Sequence, residues 1–552
     1  MKLLPLLCAL GLSCAALPAS AADKPAPAAA MPKLVLVLVV DGLPNEQVMR
    51  NRAHFQGGFK TLLQNGASFS DAHQAHGITF TAVGHAAILS GAYPSQHGVI
   101  SNGWIDNKSK KPMYCTQDTR YQYLGEETKE SDGTSPANLR VSTLGDELRY
   151  ASGNQAKVIA VSGKDRGAIL LAGKAGQAYM YMGKSGNFAS SSYYMAQHPS
   201  WVQKYAAAKP QDRFYGKPWC LAQPPAKYAA YSGEAPQTKA ACPHGAGFEE
   251  VFVSKSGKPD AEYYEELKGG PYVDQLTLDF ARAAIEGEQL GANPAGVSDL
   301  LAISLSSHDY INHELGPEHK KSHDHLFHLD QQLGQFFQWL DKRIGMQNIV
   351  VVLTADHGFP NTPEFAKSQQ KQDAGRVDSR KLMALVNKAL QEKYGVDKLF
   401  YGSAPNFTLD ADLLAAKGLS RSEVEQFVAR LILQQEGVSN VYTRSQLESG
   451  ALPATREARL MQRAWHRQVS GDFLVSLRPW WYFGSSNSGT SHGSPYAYDT
   501  NVPLLIMGKP WIKPAYYGQY AEVMDIAPTL AHLLRIRPPA ASEGRVLLEA
   551  LR

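Results

Sequence analysis

Five short apolar runs restrict the fold of this chain more than any other feature of its sequence. Each is rich in Val, Leu and Ile, which is typical of strands buried on both faces of a parallel sheet. Amphipathic helical patterns lie between them, as at residues 329–344 and 525–534. This alternation predicts an α/β fold, a three-layer α/β/α sandwich around a mainly parallel central sheet. The runs are residues 33–40, 157–161, 299–305, 348–354 and 502–507.

Three segments interrupt this alternation and are interpreted as insertions on the sandwich. They lie at about residues 107–138, 172–271 and 360–478. The last contains a helical stretch at 420–433 and a strand pattern at 473–477, which favours a separate subdomain or cap. We found no internal repeat.

The first 22 residues have the pattern of a secretory signal peptide. Lys2 is followed by an apolar run, and small residues before Asp23 predict cleavage after Ala21 or Ala22. Residues 23–30 are typical of a flexible leader, which leaves 31–552 as one domain with its insertions. A periplasmic or secreted protein is therefore expected. No later run of 18 apolar residues predicts a membrane span.

Composition and charge limit the partners of the protein. The chain has 552 residues, of which 44% are hydrophobic and 19% charged, as in an ordinary soluble protein. A formal charge of +4 without a clustered basic stripe argues against nucleic acid and membrane surfaces as partners. The sequence does not determine the oligomeric state, although a monomer is favoured.

Three of the five cysteines remain after the expected cleavage. They are Cys115, Cys220 and Cys242. In an oxidising compartment two of them are expected to pair, and Cys220 with Cys242 is the nearer choice, but sequence alone leaves the pairing open.

Polar residues follow four of the apolar runs directly. They are Asp41, Lys164 to Arg166, Asp309, and Asp356 with His357. Because sites in open α/β sheets form at the carboxyl ends of the strands, these groups are expected to converge.

Thr81 opens a segment that predicts a helix. In Thr-Ala-Val-Gly-His (81–85) a small polar residue precedes a run of apolar residues. Free backbone N–H groups and the positive end of the helix dipole would stabilise an alkoxide or an anion at this point. The alternative is that Thr81 is only an N-cap residue.

Several carboxylates and imidazoles have the spacing of metal ligands. Asp309 and His313 would share one face of a helix, and His492 lies in a glycine-rich loop. Three carboxylates, three imidazoles and a hydroxyl suit two zinc ions with three protein ligands each. Two such ions can clamp the attacking and leaving oxygens of a displacement at phosphorus. The candidate ligands are Asp41, Thr81, Asp309, His313, Asp356, His357 and His492.

Lys164, Arg166 and Asn102 are candidates for binding phosphoryl oxygens. In an extended chain Lys164 and Arg166 would point the same way, and Asp165 would face away. Asn102 would add a neutral donor. The alternatives are a solvated charge run for the first two and a turn residue for Asn102.

Three other patterns are interpreted as structural. Residues 489–493 match G-x-S-x-G, but no helix pattern follows, so a serine hydrolase is rejected. His323, His325 and His328 are interpreted as surface residues. The aromatic residues 480–483 either pack in a core, which is favoured, or line the mouth of a pocket.

Taken together, these motifs resemble the alkaline phosphatase superfamily over most of the mature chain. The resemblance is strongest to bacterial phosphate-irrepressible alkaline phosphatases that have a threonine nucleophile. The matching motifs are VVDG (39–42), TxTAxGHA (79–86), HG…NGW (97–104), KDRGA (164–168), DYxxH (309–313), TADHG (354–358) and SHGSPYxYD (491–499).

This resemblance implies a role for each site residue. Thr81 is the nucleophile; Asp41, Asp356 and His357 hold the zinc beside it; Asp309, His313 and His492 hold the other; and Asn102, Lys164 and Arg166 bind the phosphoryl oxygens. Sulfatases of the superfamily carry a Cys or Ser at the nucleophile position, whereas this sequence has Thr81 there. The implied substrates are small phosphate monoesters. A phosphodiesterase of the same superfamily, or a secreted metal- or phosphate-binding protein without turnover, remains the alternative.

Overall fold

The apolar run that begins the described part of the chain forms the centre of the fold. The computed structural model describes residues 31–552, so the expected signal peptide and leader lie outside the described residues. Strand β1 (Leu34–Val40) has no exposed side chain. It pairs in parallel with β12 (Asp299–Leu305) on one side and with β13 (Ile349–Thr354) on the other. A strand in this position must be apolar on both faces, which explains its composition.

The remaining strands are short. In chain order they are β2 (Ala67–Phe69), β3 (Ala72–His73), β4 (Gly103–Ile105), β5 (Pro112–Tyr114), β6 (Val158–Ser162), β7 (Gln177–Tyr181), β8 (Phe188–Ala189), β9 (Pro218–Cys220), β10 (Gln237–Thr238), β11 (Ala246–Val251), β14 (Gly375–Val377), β15 (Phe400–Ser403), β16 (Asn406–Leu409), β17 (Val438–Thr443), β18 (Phe473–Leu477), β19 (Trp481–Phe483), β20 (Leu504–Met507), β21 (Ala515–Tyr517) and β22 (Ala521–Glu522).

Helices pack around the sheet and form much of the insertions. They are α1 (Asn45–Asn51), α2 (Gly58–Asn65), α3 (Thr81–Ser90), α4 (Pro94–His97), α5 (Leu144–Ala151), α6 (Asp165–Ala172), α7 (Ser200–Ala207), α8 (Ala261–Glu266), α9 (Tyr272–Glu288), α10 (Ser307–Leu315), α11 (Lys320–Arg343), α12 (Pro363–Ser368), α13 (Ser379–Tyr394), α14 (Ala411–Ala416), α15 (Arg421–Leu433), α16 (Arg444–Ser449), α17 (Arg456–Ala464), α18 (Ala497–Thr500) and α19 (Ile526–Leu534). None of the described helices is long and apolar enough to cross a membrane.

The predicted α/β class is confirmed, and all five apolar runs contain strands of one nine-stranded sheet. Its strand order is β21-β2-β20-β13-β1-β12-β6-β7-β8. The strands from β13 to β7 run in parallel, but β20 pairs antiparallel to β13. The sheet is therefore mixed but mainly parallel, as predicted, and the run at 502–507 forms one of its antiparallel strands. Strand β20 is buried along its whole length although it is antiparallel, so its apolar composition did not reveal its direction.

The insertion at about 172–271 carries a small antiparallel sheet and a disulfide. The sheet has the order β10-β11-β9. Cys220, at the end of β9, is bonded to Cys242, with their Cα atoms 5.3 Å apart, so this pairing is confirmed. Cys115 is free and buried, and burial raises the pKa of its thiol to about 12.

The segment at about 360–478 has a sheet and a hydrophobic core of its own. Its four strands have the order β15-β16-β18-β17. Helices α13 and α15 contribute Val386 and Val428 to a core that also contains Phe407. The helix predicted at 420–433 and the strand predicted at 473–477 are both present, as α15 and β18.

Candidate metal centre and active site

Thr81 is the first residue of α3 rather than its cap. The cap position is taken by Phe80, and Thr81 is 1% exposed, so the N-cap interpretation of Thr81 is wrong. Its Oγ1 lies 3.4 Å from Nε2 of His357. The hydroxyl therefore belongs to the first turn of a helix, where the helix dipole stabilises developing negative charge.

Two groups of buried side chains have the geometry of metal sites. One consists of Asp41, Asp356 and His357, and the other of Asp309, His357 and His492. Within each group the potential ligand atoms lie within 4.8 Å of one another. His313 lies next to the second group, with its Nε2 3.4 Å from Oδ1 of Asp309. The structure thus brings all the candidate ligands together, with His357 between the two groups.

Backbone carbonyls orient the three imidazoles in the same way. Nδ1 of His357 donates to Gly358 O at 2.9 Å, Nδ1 of His492 to Thr79 O at 2.7 Å, and Nδ1 of His313 to Thr490 O at 3.1 Å. Because a carbonyl only accepts, each Nδ1 carries a proton, so Nε2 is the nitrogen of each ring that can bind a metal ion. This is the tautomer that a metal ligand requires.

The carboxylates of the centre have oxygens without hydrogen bonds. Oδ1 of Asp41 and Oδ1 of Asp309 are buried and have no hydrogen-bond partner among residues 31–552, whereas Oδ2 of Asp41 and Oδ2 of Asp356 make ion pairs, with Lys164 at 2.8 Å and with His85 at 3.1 Å. Buried carboxylate oxygens of this kind are costly unless a cation neutralises them. The donor set therefore fits metal ions, and mixed carboxylate and imidazole ligands suit zinc.

The charges of the centre shift the pKa values of its members. Burial alone would raise the pKa of Asp41, but Lys164 and His357 bring it well below its usual value. Burial and the neighbouring Asp41 raise the pKa of Asp356. Burial disfavours protonation of His357, but Asp356, Asp41 and Asp309 together raise its pKa to about 9.

This shift predicts how metal affinity depends on pH. Below about pH 9 the His357 imidazole of the metal-free protein is protonated, so a metal ion must displace that proton. Apparent zinc affinity is expected to rise about tenfold per pH unit up to about pH 9 and then to level off. Competition with a chelator of known affinity at pH 7, 8, 9 and 10 measures this. A corrected dissociation constant that is the same at every pH would contradict it.

The phosphoryl-binding candidates lie at the edge of this centre. Oδ1 of Asn102 accepts from the Ala82 N–H at 2.8 Å, which leaves its amide group free to donate. Nζ of Lys164 is 2.8 Å from Oδ2 of Asp41 and also bonds Asp309. The expectation that Lys164 and Arg166 lie in extended chain is wrong, because Asp165 begins α6 and Arg166 is in its first turn.

Three residues that the sequence did not single out support the site. Tyr114 accepts from Nη1 of Arg166 at 3.2 Å and donates to Asp165 Oδ1 at 2.8 Å. His85 lies 3.1 Å from Oδ2 of Asp356. Asp499 accepts from the backbone of Ser494 at 2.8 Å and so holds the loop of His492. His85 and Asp499 lie inside the motifs TxTAxGHA and SHGSPYxYD, whereas no motif contained Tyr114.

Gly84 allows α3 to approach the loop of Asp356. A Cβ at this position would lie 2.0 Å from the Asp356 carbonyl oxygen. Gly84→Ala is expected to displace Thr81 relative to the ligands and to lower kcat/KM about 100-fold, with a loss of about 1–3 kcal/mol in stability. Steady-state kinetics and thermal unfolding measure both. Gly518→Ala is the control, since nothing lies within 4 Å of its Cβ, and equal activities of the two variants would contradict the prediction.

The interpretation of three histidines as surface residues is wrong. His323 and His325 are each 1% exposed, and the side chain of His328 is 22% exposed. Nδ1 of His323 is 2.8 Å from the Asn51 amide, and Nε2 of His328 donates to Cys220 O at 2.8 Å. Their partners come from distant segments, so the helix pattern alone did not reveal their burial.

The other two structural interpretations agree with the structure. Ser491 lies in a loop between β19 and α18, without the strand–turn–helix context of a nucleophile elbow. Trp481 belongs to the core of the inserted subdomain. Trp481, Tyr482 and Phe483 also line a cavity of about 60 Å³ that reaches His492.

Comparisons with known proteins match most of this chain to a family model and to several relatives. The family model described as type I phosphodiesterase / nucleotide pyrophosphatase matches residues 35–497. A Myroides odoratus protein named calcium-transporting ATPase is 34% identical, over 94% of this chain and 95% of its own length. Alkaline phosphatase PhoV of Synechococcus elongatus is 32% identical, over 95% of this chain and 94% of its own. The crystal structure of wild-type alkaline phosphatase PafA superposes with a TM-score of 0.86 at 29% identity, covering 95% of this chain and all of that one.

Proposed function

The chain belongs to the type I phosphodiesterase / nucleotide pyrophosphatase family of the alkaline phosphatase superfamily and is a phosphatase, and on this basis we propose that it hydrolyses phosphate monoesters through a covalent phosphothreonine at Thr81. Two zinc ions are the proposed cofactors, and the periplasm or the extracellular space is the proposed location. Small-molecule monoesters are the proposed substrates.

The observation that carries this proposal is the ammonium group of Lys164 inside the carboxylate cluster. Lys164 is 4% exposed, and its Nζ contacts both Asp41 and Asp309, which belong to different ligand groups. Burial disfavours the ammonium, but Asp309 and Asp41 raise its pKa well above the usual value, so the positive charge is permanent. A fixed cation in the candidate metal centre favours a dianionic monoester over a monoanionic diester.

Four side chains of the site have a defined part in the proposed reaction. Zinc, when bound, supplies Lewis-acid stabilisation of charge on oxygen. Thr81 Oγ1 loses its proton to solvent and attacks phosphorus in line; the bond to the leaving oxygen breaks as the phosphothreonine forms, and the leaving alkoxide takes up a proton from solvent. The Asn102 amide, held through Ala82, and the cations of Lys164 and Arg166 bind the non-bridging oxygens. Hydrolysis of the phosphothreonine then releases phosphate and restores the hydroxyl.

The ligand sets assigned to the two ions remain part of the proposal. Asp41, Asp356 and His357 hold one ion, whereas Asp309 and His492, with His313, hold the other. A second grouping assigns His357 to the other ion, together with Asp309 and His492, because the ligand atoms of these three residues also lie within 4.8 Å of one another.

A phosphodiesterase is the second candidate, because the matching family model describes type I phosphodiesterases. The deciding experiment is the ratio of kcat/KM for an aryl phosphate monoester and the matching diester on zinc-loaded protein. A strong preference for the monoester supports the proposal. A preference for the diester transfers the assignment to the second candidate, and zinc binding without turnover of either ester would reject both.

A further inference from the structure

A buried hydrogen-bonded chain connects four helices behind the metal centre. It runs from Gln47 in α1 through His308 in α10 and His325 in α11 to Asp274 in α9. All four side chains are nearly inaccessible, at 4%, 0%, 1% and 0% exposure respectively. Such a chain is costly to bury unless every donor and acceptor in it is satisfied.

The proton positions along this chain follow from its ends. Gln47 Nε2 donates to Pro317 O at 2.7 Å, so its Oε1 faces Nε2 of His308 at 2.8 Å and must accept. Nδ1 of His308 and Nδ1 of His325 are 3.2 Å apart and share one proton. Nε2 of His325 lies 3.0 Å from Oδ2 of Asp274, and a third proton joins them.

Three protons on two imidazoles and one carboxylate give a group with no net charge. Neutral imidazoles would hold two protons and the carboxylate none. The third proton makes one imidazolium opposite one carboxylate, or a carboxylic acid beside two neutral rings. In either case no uncompensated charge is buried, which is the condition for a stable interior pair.

The other oxygen of Asp274 holds the beginning of α10. Its Oδ1 accepts from the backbone N–H groups of Ser306 at 2.8 Å and Ser307 at 3.2 Å. Ser306 is the cap residue of α10 but makes no side-chain cap bond, so Asp274 satisfies donors that the helix leaves free. This helix carries Asp309 and His313.

A side branch ties the same helix to the strand end that bears Asp41. Gln47 also donates to Ser322 Oγ at 2.8 Å, and Ser322 donates to Asn312 Oδ1 at 2.6 Å. Asn312 Nδ2 donates to Gly42 O at 3.1 Å. The chain and its branch therefore fix α10 relative to Asp41.

From these contacts we propose that Asp274 and His325 are positioning residues for the metal centre, which set the placement of α10 and thereby of Asp309. The inference rests on the proposed function only in taking Asp309 as a metal ligand. It concerns metal affinity, which is measured without turnover, so it can fail or stand independently of the monoester assignment.

The test measures zinc dissociation constants of the full-length protein by chelator competition. Asp274→Ala is expected to weaken the binding of one zinc ion about 10- to 100-fold, as outer-shell substitutions do. Asp274→Asn is expected to stay within about threefold of wild type. Its oxygen still accepts from Ser306 and Ser307, and its NH₂ donates to a neutral His325.

Asp330→Ala is the matched control. Asp330 is 2% exposed and accepts from the backbone of Gln56, Gly57 and Phe59 at 2.6–2.8 Å, so it holds the beginning of α2 as Asp274 holds that of α10. Its removal is expected to lower the Tm without changing zinc affinity. If Asp274→Ala does not fold, His325→Gln is measured instead, because it keeps a donor toward Asp274 and breaks only the bond to His308. Unchanged zinc affinity in the Asp274→Ala or His325→Gln protein overturns the proposal, and so does an Asp274→Asn protein as weak as Asp274→Ala.

Discussion

Thr81→Ala is expected to lower kcat/KM for a phosphate monoester by about 10⁴- to 10⁶-fold, the range seen when a catalytic nucleophile is removed. The hydroxyl 3.4 Å from His357 Nε2 is the group that the proposed reaction phosphorylates. The carboxylates and imidazoles of both ligand groups are unchanged in this variant, so it is expected to retain its metal ions. Steady-state kinetics and zinc analysis of the same preparation measure both quantities.

Thr81→Ser is the control, because it keeps the hydroxyl and is expected to retain most of the activity. Acid quenching with phosphate-labelled substrate adds an independent readout. Label is expected on residue 81 in the wild type and the serine variant and on no residue of the alanine variant. Turnover near the wild-type rate in Thr81→Ala would remove Thr81 from the role of nucleophile.

Replacing Lys164 and Arg166 together with alanine is expected to lower kcat/KM for a monoester by about 10² to 10⁴, since each charged hydrogen bond contributes about 1.5–3 kcal/mol. The loss for the matching diester is expected to be much smaller, because its transferring group carries less negative charge. The change in the ratio of the two kcat/KM values is the measurement that isolates recognition of charge.

Lys268→Ala provides the matched control for the double variant. Lys268 lies over the ring of Tyr310 at 6.0 Å, as Lys164 does at 4.7 Å, but it pairs with Glu265 rather than with the carboxylates of the centre. It is expected to leave the ratio unchanged. Zinc content must be determined for each variant, because removing Lys164 leaves Asp41 and Asp309 without their cation. Equal losses for monoester and diester in the double variant would show that the pair does not recognise charge.

The sequence predicted the core strands well, because burial on both faces leaves a direct record in composition. The run at 299–305 coincides with β12, and the run at 348–354 differs from β13 by one residue. Short edge strands such as β8 and β21 were not predicted, because two or three residues are too few to show a hydrophobic pattern. The antiparallel direction of β20 was also missed, because direction depends on the path of the preceding chain.

Positions of the candidate ligands were predictable, but their supporting contacts were not. Asp356 and His357 follow a buried strand, and a strand end constrains where a side chain lies. The partners of His325 come from α9 and α10, and only the packed helices bring them together. Similarly, Arg166 was placed in extended chain because the helix that begins at Asp165 is short and starts inside the motif.

The central position of β1 has a consequence for how the protein is made. This strand is synthesised before its two neighbours, which end at Leu305 and Thr354. Until those strands leave the ribosome, both edges of an entirely apolar segment stay unpaired, and such edges favour aggregation. His492 is synthesised later still, so the metal centre is completed only near the end of translation. We therefore expect the nascent chain to depend on a chaperone that prevents aggregation for most of its synthesis. We also expect it to acquire its metal ions only after the central sheet has formed.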